Sequence, residues 1–274
     1  MSVTARTGRR VRGTPRAAAA MTGGTEGAGI APGEAAQVAS PTPVAGPAAA
    51  PPLDLSERIE QVATQLFIRN GYHGVSYLGI AKELGITHSN VHYYYRTKPA
   101  LAEAVLRRVA ADTLAATARI WRDPEGSLAD KFRRLRDWIH ACYLQFNPDG
   151  RGGRPWGLLS RFSMEADALT PEMRQVLRAT LKKQESDIRY AVDRAIERGE
   201  LRPDAPADGI TVQILGVMQL TGQLTRYAGF ERLDELLHWT LVTLERAWGT
   251  AVPTRAWSAQ ADLFATLSEP GGPR

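Results

Sequence analysis

The stretch HSNVHYYYRTKPAL, His88 to Leu101, sets short hydrogen-bonding side chains beside three consecutive tyrosines and a lysine-proline step. Imidazole, hydroxyl, carboxamide and phenol groups donate and accept hydrogen bonds, and the lysine adds a cation. Gathered on one helix face, such groups suit phosphate oxygens and base edges. They lack the spacing of a catalytic site. The five histidines, His73, His88, His92, His140 and His238, include no HExxH pair, and neither GxSxG nor GxxxxGK[ST] occurs. Glu197 and Glu200, near a helix end, read as solvated surface. Cys142 is the only cysteine, which excludes an intramolecular disulfide framework or multi-cysteine metal cluster and suits a reducing compartment, the cytoplasm. The expectation is a chain with no catalytic residue, metal or cofactor.

Helices must hold those groups in place. Three adjacent tyrosines cannot all point inward on a helix. Val91 and Tyr95, four apart, share the face that closes a small core with Ile86, which leaves His88, Ser89, Asn90, His92, Tyr93 and Tyr94 on the exposed arc. Thr87 is the expected N-cap of this helix, which ends near Tyr95. Thr97 caps a longer helix with Lys98 and Pro99 in its first turn, where proline's missing N–H costs nothing. Upstream, Asp54 and Glu57 fit a capping-box variant ahead of Ile59, Val62, Ala63, Leu66 and Phe67 at helical spacing. Asn70-Gly71 ends that first helix. Ser76 then caps a second, with Ile80, Ala81 and Leu84 on one face, and Gly85 supplies a tight turn. Two short helices joined by a glycine turn, after a longer amphipathic one, describe a helix-turn-helix whose second short helix enters the DNA major groove.

Charge distribution agrees with an anionic partner for this end of the chain. The net charge is +5, and residues 111–274 carry 22 basic against 22 acidic residues, so the whole excess lies N-terminal to them. Residues 1–52 hold Arg6, Arg9, Arg10, Arg12 and Arg16 among Ala, Gly, Pro, Thr and Ser with no aromatic residue. That composition cannot bury enough apolar surface to offset ordering, and predicts a disordered tail that adds sequence-independent DNA affinity. It also resembles a transit peptide, and translation starting at Met21 would remove the arginines. Hydrophobic residues make up 43% of the chain, enough for a core, yet no apolar run approaches the ~18 residues of a membrane span.

LFIRNGYHGVSYLGIAKELGITHSNVHYYYRTKPAL resembles the N-terminal domain of the TetR family of bacterial transcriptional repressors. The pairs Leu66-Phe67, Gly71-Tyr72, Ile80-Ala81 and Gly85-Ile86, the aromatic cluster ending at Tyr95, and Lys98 ahead of Leu101 carry the match over residues 55–105. The resemblance implies an all-α protein: a three-helix DNA-binding domain joined by a helix to a larger helical domain for effector binding and dimerisation. Its implied partners are a double-stranded DNA operator, a second copy of the chain and a small-molecule effector. Ser76 and Lys98 would meet phosphates, and Thr87, His88, Ser89, Asn90 and Tyr93 would lie nearest the bases. The sequence departs from the family at His92, where a phosphate-binding tyrosine is usual, which makes that contact pH-sensitive. Tyr94 replaces a frequent histidine, and Ser89 a small residue, often glycine.

Beyond residue 105 the resemblance is generic, although RGELRPD, Arg198 to Asp204, is again similar to the family. Leu128, Phe132, Leu135, Ile139, Cys142, Tyr143 and Phe146 form one helical stripe. Asn147 to Pro155 is a breaker loop, helix resumes over Trp156 to Met164, and Thr170-Pro171 starts a long helix that stops at Gly199. Two helices remain, about 206–228 and 231–248. Gly216 and Gly222 permit close approach, and the leucine face of Leu233, Leu237, Leu241 and Leu244 is wider than one neighbour needs. It reads as dimer interface by the family pattern or as ordinary core by periodicity alone. Trp138, Tyr143, Trp156, Phe162, Met164 and Met218 are the candidate walls of an apolar effector cavity, with Gln184, Gln213 and Gln219 to orient a ligand, although each aromatic fits a core equally well. The resulting domains are a tail (1–52), a DNA-binding domain (53–105), an effector and dimerisation domain (106–250) and a flexible C-terminal tail (251–274). The function expected is a ligand-released repressor on a palindromic operator, with the helix from Thr97 as the lever of release. A DNA-binding regulator controlled by a protein partner is the alternative, and a helical enzyme a remote one.

Overall fold

The computed structural model describes residues 54–250. The arginine-rich segment and the C-terminal tail expected from composition lie outside the described residues. Within them the chain forms α1 (Leu55–Asn70), α2 (Tyr77–Leu84), α3 (His88–Tyr94), α4 (Lys98–Trp121), α5 (Leu128–Leu144), α6 (Leu158–Met164), α7 (Pro171–Glu197) and α8 (Ala207–Trp248), with a 3-10 turn at Ala166–Ala168. No strand is present among these residues apart from a single bridge between Leu201 and Gly249.

Local chemistry sets most boundaries. Side-chain oxygens of Asp54, Ser76, Thr87, Thr97, Ser127 and Thr170 accept the orphan N–H groups that begin α1, α2, α3, α4, α5 and α7. Asp54 with Glu57, Thr87 with Asn90, and Ser127 with Asp130 complete reciprocal capping boxes. Helix α8 is broken at Gly229, whose φ of 77° and ψ of 176° are reached without strain by glycine alone. It therefore has two arms, 207–228 and 230–248, close to the two helices the sequence predicts.

Two apolar cores result. One gathers the end of α4 with α5, α7 and both arms of α8, around Trp121, Phe132, Leu135, Ile139, Leu237 and Leu241. The other holds Ile59, Phe67, Ile80, Val91, Leu101 and Val105 of α1 to α4, and continues into Phe146, Leu158, Phe162, Leu169 and Met173. The DNA-binding domain expected to end near 105 thus shares its core with α6 and the start of α7. Two buried charges are engaged: Lys131 donates to the carbonyls of Ile120 and Asp123 at the end of α4, and Oδ1 of Asp187 of α7, fully buried, pairs with Arg122 and Lys183, while its Oδ2 has no hydrogen-bond partner among the described residues.

Candidate nucleic-acid interface and ligand cavity

Helix α3 turns Val91 into the core and presents the rest of its length outward. His88, Ser89, Asn90 and His92 are exposed, Tyr93 is 82% exposed and Tyr94 39%. The two tyrosine rings pack edge to face at 5.3 Å, which holds both upright from the surface. Tyr95 instead turns inward and donates to Glu60 Oε1 at 2.5 Å. Burial first, then Glu60, pushes its pKa up to about 12, so it stays a neutral donor.

Some of the expected DNA contacts are already engaged within the fold. Asn90 Oδ1 accepts from the Thr87 amide at 3.1 Å and from the Thr87 hydroxyl at 2.5 Å, and the Asn90 amide donates back to Thr87 Oγ1 at 3.2 Å. A bidentate contact of Asn90 with adenine needs that oxygen, so the capping box would have to open; the Nδ2 donor is available as it stands. Ser76 Oγ accepts from the Gly79 amide at 3.1 Å and keeps its own proton to donate. Lys98 folds back on the turn after α1, donating to the His73 carbonyl at 3.2 Å with Nζ 4.8 Å from the Tyr72 ring centroid. Burial lowers its pKa, and two of its three donors remain beside the N-terminus of α4. Sequence reasoning passed over Tyr77. Its ring lies 5.9 Å from His88 and 6.2 Å from His92 and wedges α2 against the outer face of α3. Nothing in the sequence gives the register between these helices, so no local signal marks it.

A cavity of about 230 Å³ opens between α1, α4, α5, α6, α7 and α8. Trp138, Trp156, Gln184, Met218 and Gln219, all expected there, line it, together with Cys142, Gln145 and Ser160, which were not. Burial raises the pKa of Cys142, so the thiol stays protonated. Among the described residues no charged side chain lines this space. Thr64, Gln65 and Ile68 of α1 form one wall, so the cavity touches the DNA-binding unit directly. Tyr143 and Phe162 do not line it. Tyr143 is fully buried, with its hydroxyl donated to the Gly152 carbonyl at 2.6 Å. Phe162 packs edge-on against Phe67 at 5.4 Å and Tyr72 at 6.2 Å in the DNA-binding core. Met164 and Gln213 are exposed elsewhere.

Helix α6 supplies a second link. Glu165, its C-cap, accepts from the Tyr72 amide at 2.6 Å while pairing with Arg161 at 2.9 Å. A Cβ at Gly71 would collide with both side chains, which is what the Gly71-Tyr72 turn makes room for.

The leucine face expected at a dimer interface is core. Leu233, Leu237, Leu241 and Leu244 are all buried within the protomer, because the break at Gly229 lays the second arm of α8 against its own neighbours. Gly222 packs against Ser160, and Gly216 faces open space. What the two arms leave uncovered is Leu220 (49% exposed) and Tyr227 (83%), in a groove that also includes Leu224, Leu236 and Trp239, and, apart from that groove, Val212 (58%) beside Arg189 and Asp208.

Residues 59–105 match the model for bacterial regulatory proteins of the tetR family, and residues 133–240 match that for the tetracyclin repressor-like C-terminal domain. Together the two span more than half of the chain. Fold and reading helix therefore define a helix-turn-helix regulator of transcription, and the chain belongs to the TetR family. Among solved structures, a TetR transcriptional regulator from Chloroflexus aurantiacus aligns with a TM-score of 0.60 at 22% identity, over 72% of this chain and 96% of that one. A TetR-family regulator from Agrobacterium tumefaciens gives 0.60 at 18%, over 70% and 96%. A regulator from Saccharomonospora viridis solved in complex with choline gives 0.59 at 18%, over 72% and 98%. At these identities the likeness is one of fold. No curated protein matches the chain.

Proposed function

We propose that the protein is a homodimeric repressor that binds a palindromic operator through α3 and releases it when a small molecule fills the cavity beside Trp156. One observation carries the reading: the cavity's wall includes Thr64, Gln65 and Ile68 of α1, so its occupant touches the domain that presents Tyr93 and His88. A ligand acts only by binding one conformation better than another, and a cavity shared by both cores is placed to do that. The choline complex of the Saccharomonospora viridis regulator supports a small-molecule role for this fold. Pairing of protomers is supported by the exposed Val212, Leu220 and Tyr227, and a two-fold dimer matches a palindromic site. Such a regulator works in the compartment that holds the chromosome.

The test is a gel shift on DNA upstream of the protein's own gene, repeated with a metabolite library and with Trp156 fluorescence read in parallel. A retarded band lost on adding a compound that also quenches Trp156 is the expected result. A ligand that quenches Trp156 but binds free and operator-bound protein equally well overturns the release mechanism, since no linkage then exists.

A further inference from the structure

A second cavity, also of about 230 Å³, is lined by α6, the 3-10 turn, α7 and the first arm of α8. It shares Leu159, Gln184 and Gln219 with the Trp156 cavity, so these three side chains are the wall between the two. The wall is weakly held: Gln219 Nε2 donates to Gln184 Oε1 at 3.4 Å, at the limit of a hydrogen bond. Gln184 is only 5% exposed, and its own amide N–H groups have no hydrogen-bond partner among the described residues.

The two spaces differ in chemistry. Around Trp156 the lining carries no charge among the described residues, while the second cavity is bordered by Arg174 and Arg178. Arg174 is committed to the carbonyls of Ala166 and Leu169. Arg178 makes no hydrogen bond or ion pair among the described residues. Size points the same way: each cavity is smaller than the roughly 300–1,000 Å³ of small-molecule sites, and the two joined fall within that range.

We propose that the two cavities are halves of one site for an amphipathic organic anion, whose apolar body lies among Trp138, Trp156 and Met218 and whose carboxylate passes the Gln184–Gln219 pair to meet Arg178. The assignment rests on the effector reading above and specifies its ligand. A guanidinium fork pairs with a carboxylate through two parallel hydrogen bonds, and the unbonded Gln184 amide adds a donor at the waist. Rotation of the two glutamines, joined only by the 3.4 Å contact, would widen the passage beside Leu159, the third residue of the wall.

The experiment titrates full-length dimer with straight-chain C8 to C12 carboxylates and the matching primary alcohols, below their micelle-forming concentrations, reading tryptophan fluorescence and calorimetry. Wild-type protein is expected to bind each carboxylate at least tenfold more tightly than its alcohol. Arg178→Gln, a surface change that leaves the fold intact, should erase that preference without altering alcohol affinity, and Arg178→Lys should restore part of it. Lys182→Gln, an exposed cation outside both cavities, should leave the preference as it is. Alcohols bound as tightly as carboxylates, or a preference that survives Arg178→Gln, overturn the spanning site while leaving the Trp156 cavity as an effector site. Absence of saturable binding by either series also overturns it, and the effector reading then stands or falls on the library titration alone.

Discussion

Tyr93 and Lys98 sit at the same surface but should fail differently. Among the described residues Tyr93 packs only against Tyr94; on the proposed reading it lies near base edges, so Tyr93→Ala should lower operator affinity more than random-DNA affinity. On the proposed reading Lys98 meets a phosphate, so Lys98→Ala should lower the slope of log affinity against log salt by about one with sequence preference kept. Because the ammonium also bonds the His73 carbonyl, that variant should lose about 1 kcal/mol of stability as well, readable in urea. An unchanged slope with the stability loss alone would assign Lys98 to the turn rather than to DNA. His140 offers a pH test. Its ring stacks on Phe230 with centroids 4.1 Å apart, and burial first, then Arg136, lowers its pKa against the opposing pull of Asp234 and Asp137. The unfolded chain titrates near 6.5. As pH falls below about that value the unfolded state therefore takes up more protons than the folded one, and stability is lost. The urea midpoint should drop between pH 7.5 and 5.5, and His140→Gln should flatten that drop; equal slopes in both proteins would remove His140 from the account.

At the scale of elements, what could be read from sequence was what neighbours along the chain decide. Asp54 with Glu57, Ser76, Thr87, Thr97 and Thr170 each begin a helix through bonds spanning a few residues, and each was legible as a cap. The exposed arc of α3 was legible too, because Val91 and Tyr95 fix its inner face. Which face of the last helices turns inward was not legible: Leu237 and Tyr227 lie on segments with the same kind of apolar pattern, and only packing across Gly229 separates core from surface. Tyr143 and Phe162 were misplaced for the same reason, since an aromatic looks alike in a core and in a cavity wall. The sequence reading puts the lever of the proposed release in the helix from Thr97; Glu165 of the α6 end, which accepts from the Tyr72 amide across a separation that no local pattern reports, is a second candidate for it. Glu165→Ala should leave operator affinity within about threefold and cut the ligand's effect on it by roughly five-fold or more, given typical couplings of ~1 to 3 kcal/mol. An unchanged ligand effect would return the lever to α4.

For the whole molecule, the uncovered face of α8 and the buried leucines predict opposite outcomes from similar substitutions. Leu237→Glu puts an unpaired charge in the protomer's own core and should unfold it, at a cost of several kcal/mol. Tyr227→Glu should leave a folded protein that sediments as a monomer; a folded Tyr227→Glu dimer would move the interface elsewhere. On the proposed palindromic operator one α3 would read half a site, and two of them on one face of B-DNA would have to sit about 34–36 Å apart or a multiple of that. The most direct test of the account is a footprint of the dimer on the DNA upstream of its gene at ~150 mM salt, with wild-type protein and Tyr93→Ala. The account predicts protection of two inverted half-sites centred one helical turn, or a multiple of one, apart, and its loss in Tyr93→Ala with binding to random DNA retained. Protection with no preference over random DNA, or a footprint that Tyr93→Ala leaves unchanged, would contradict it.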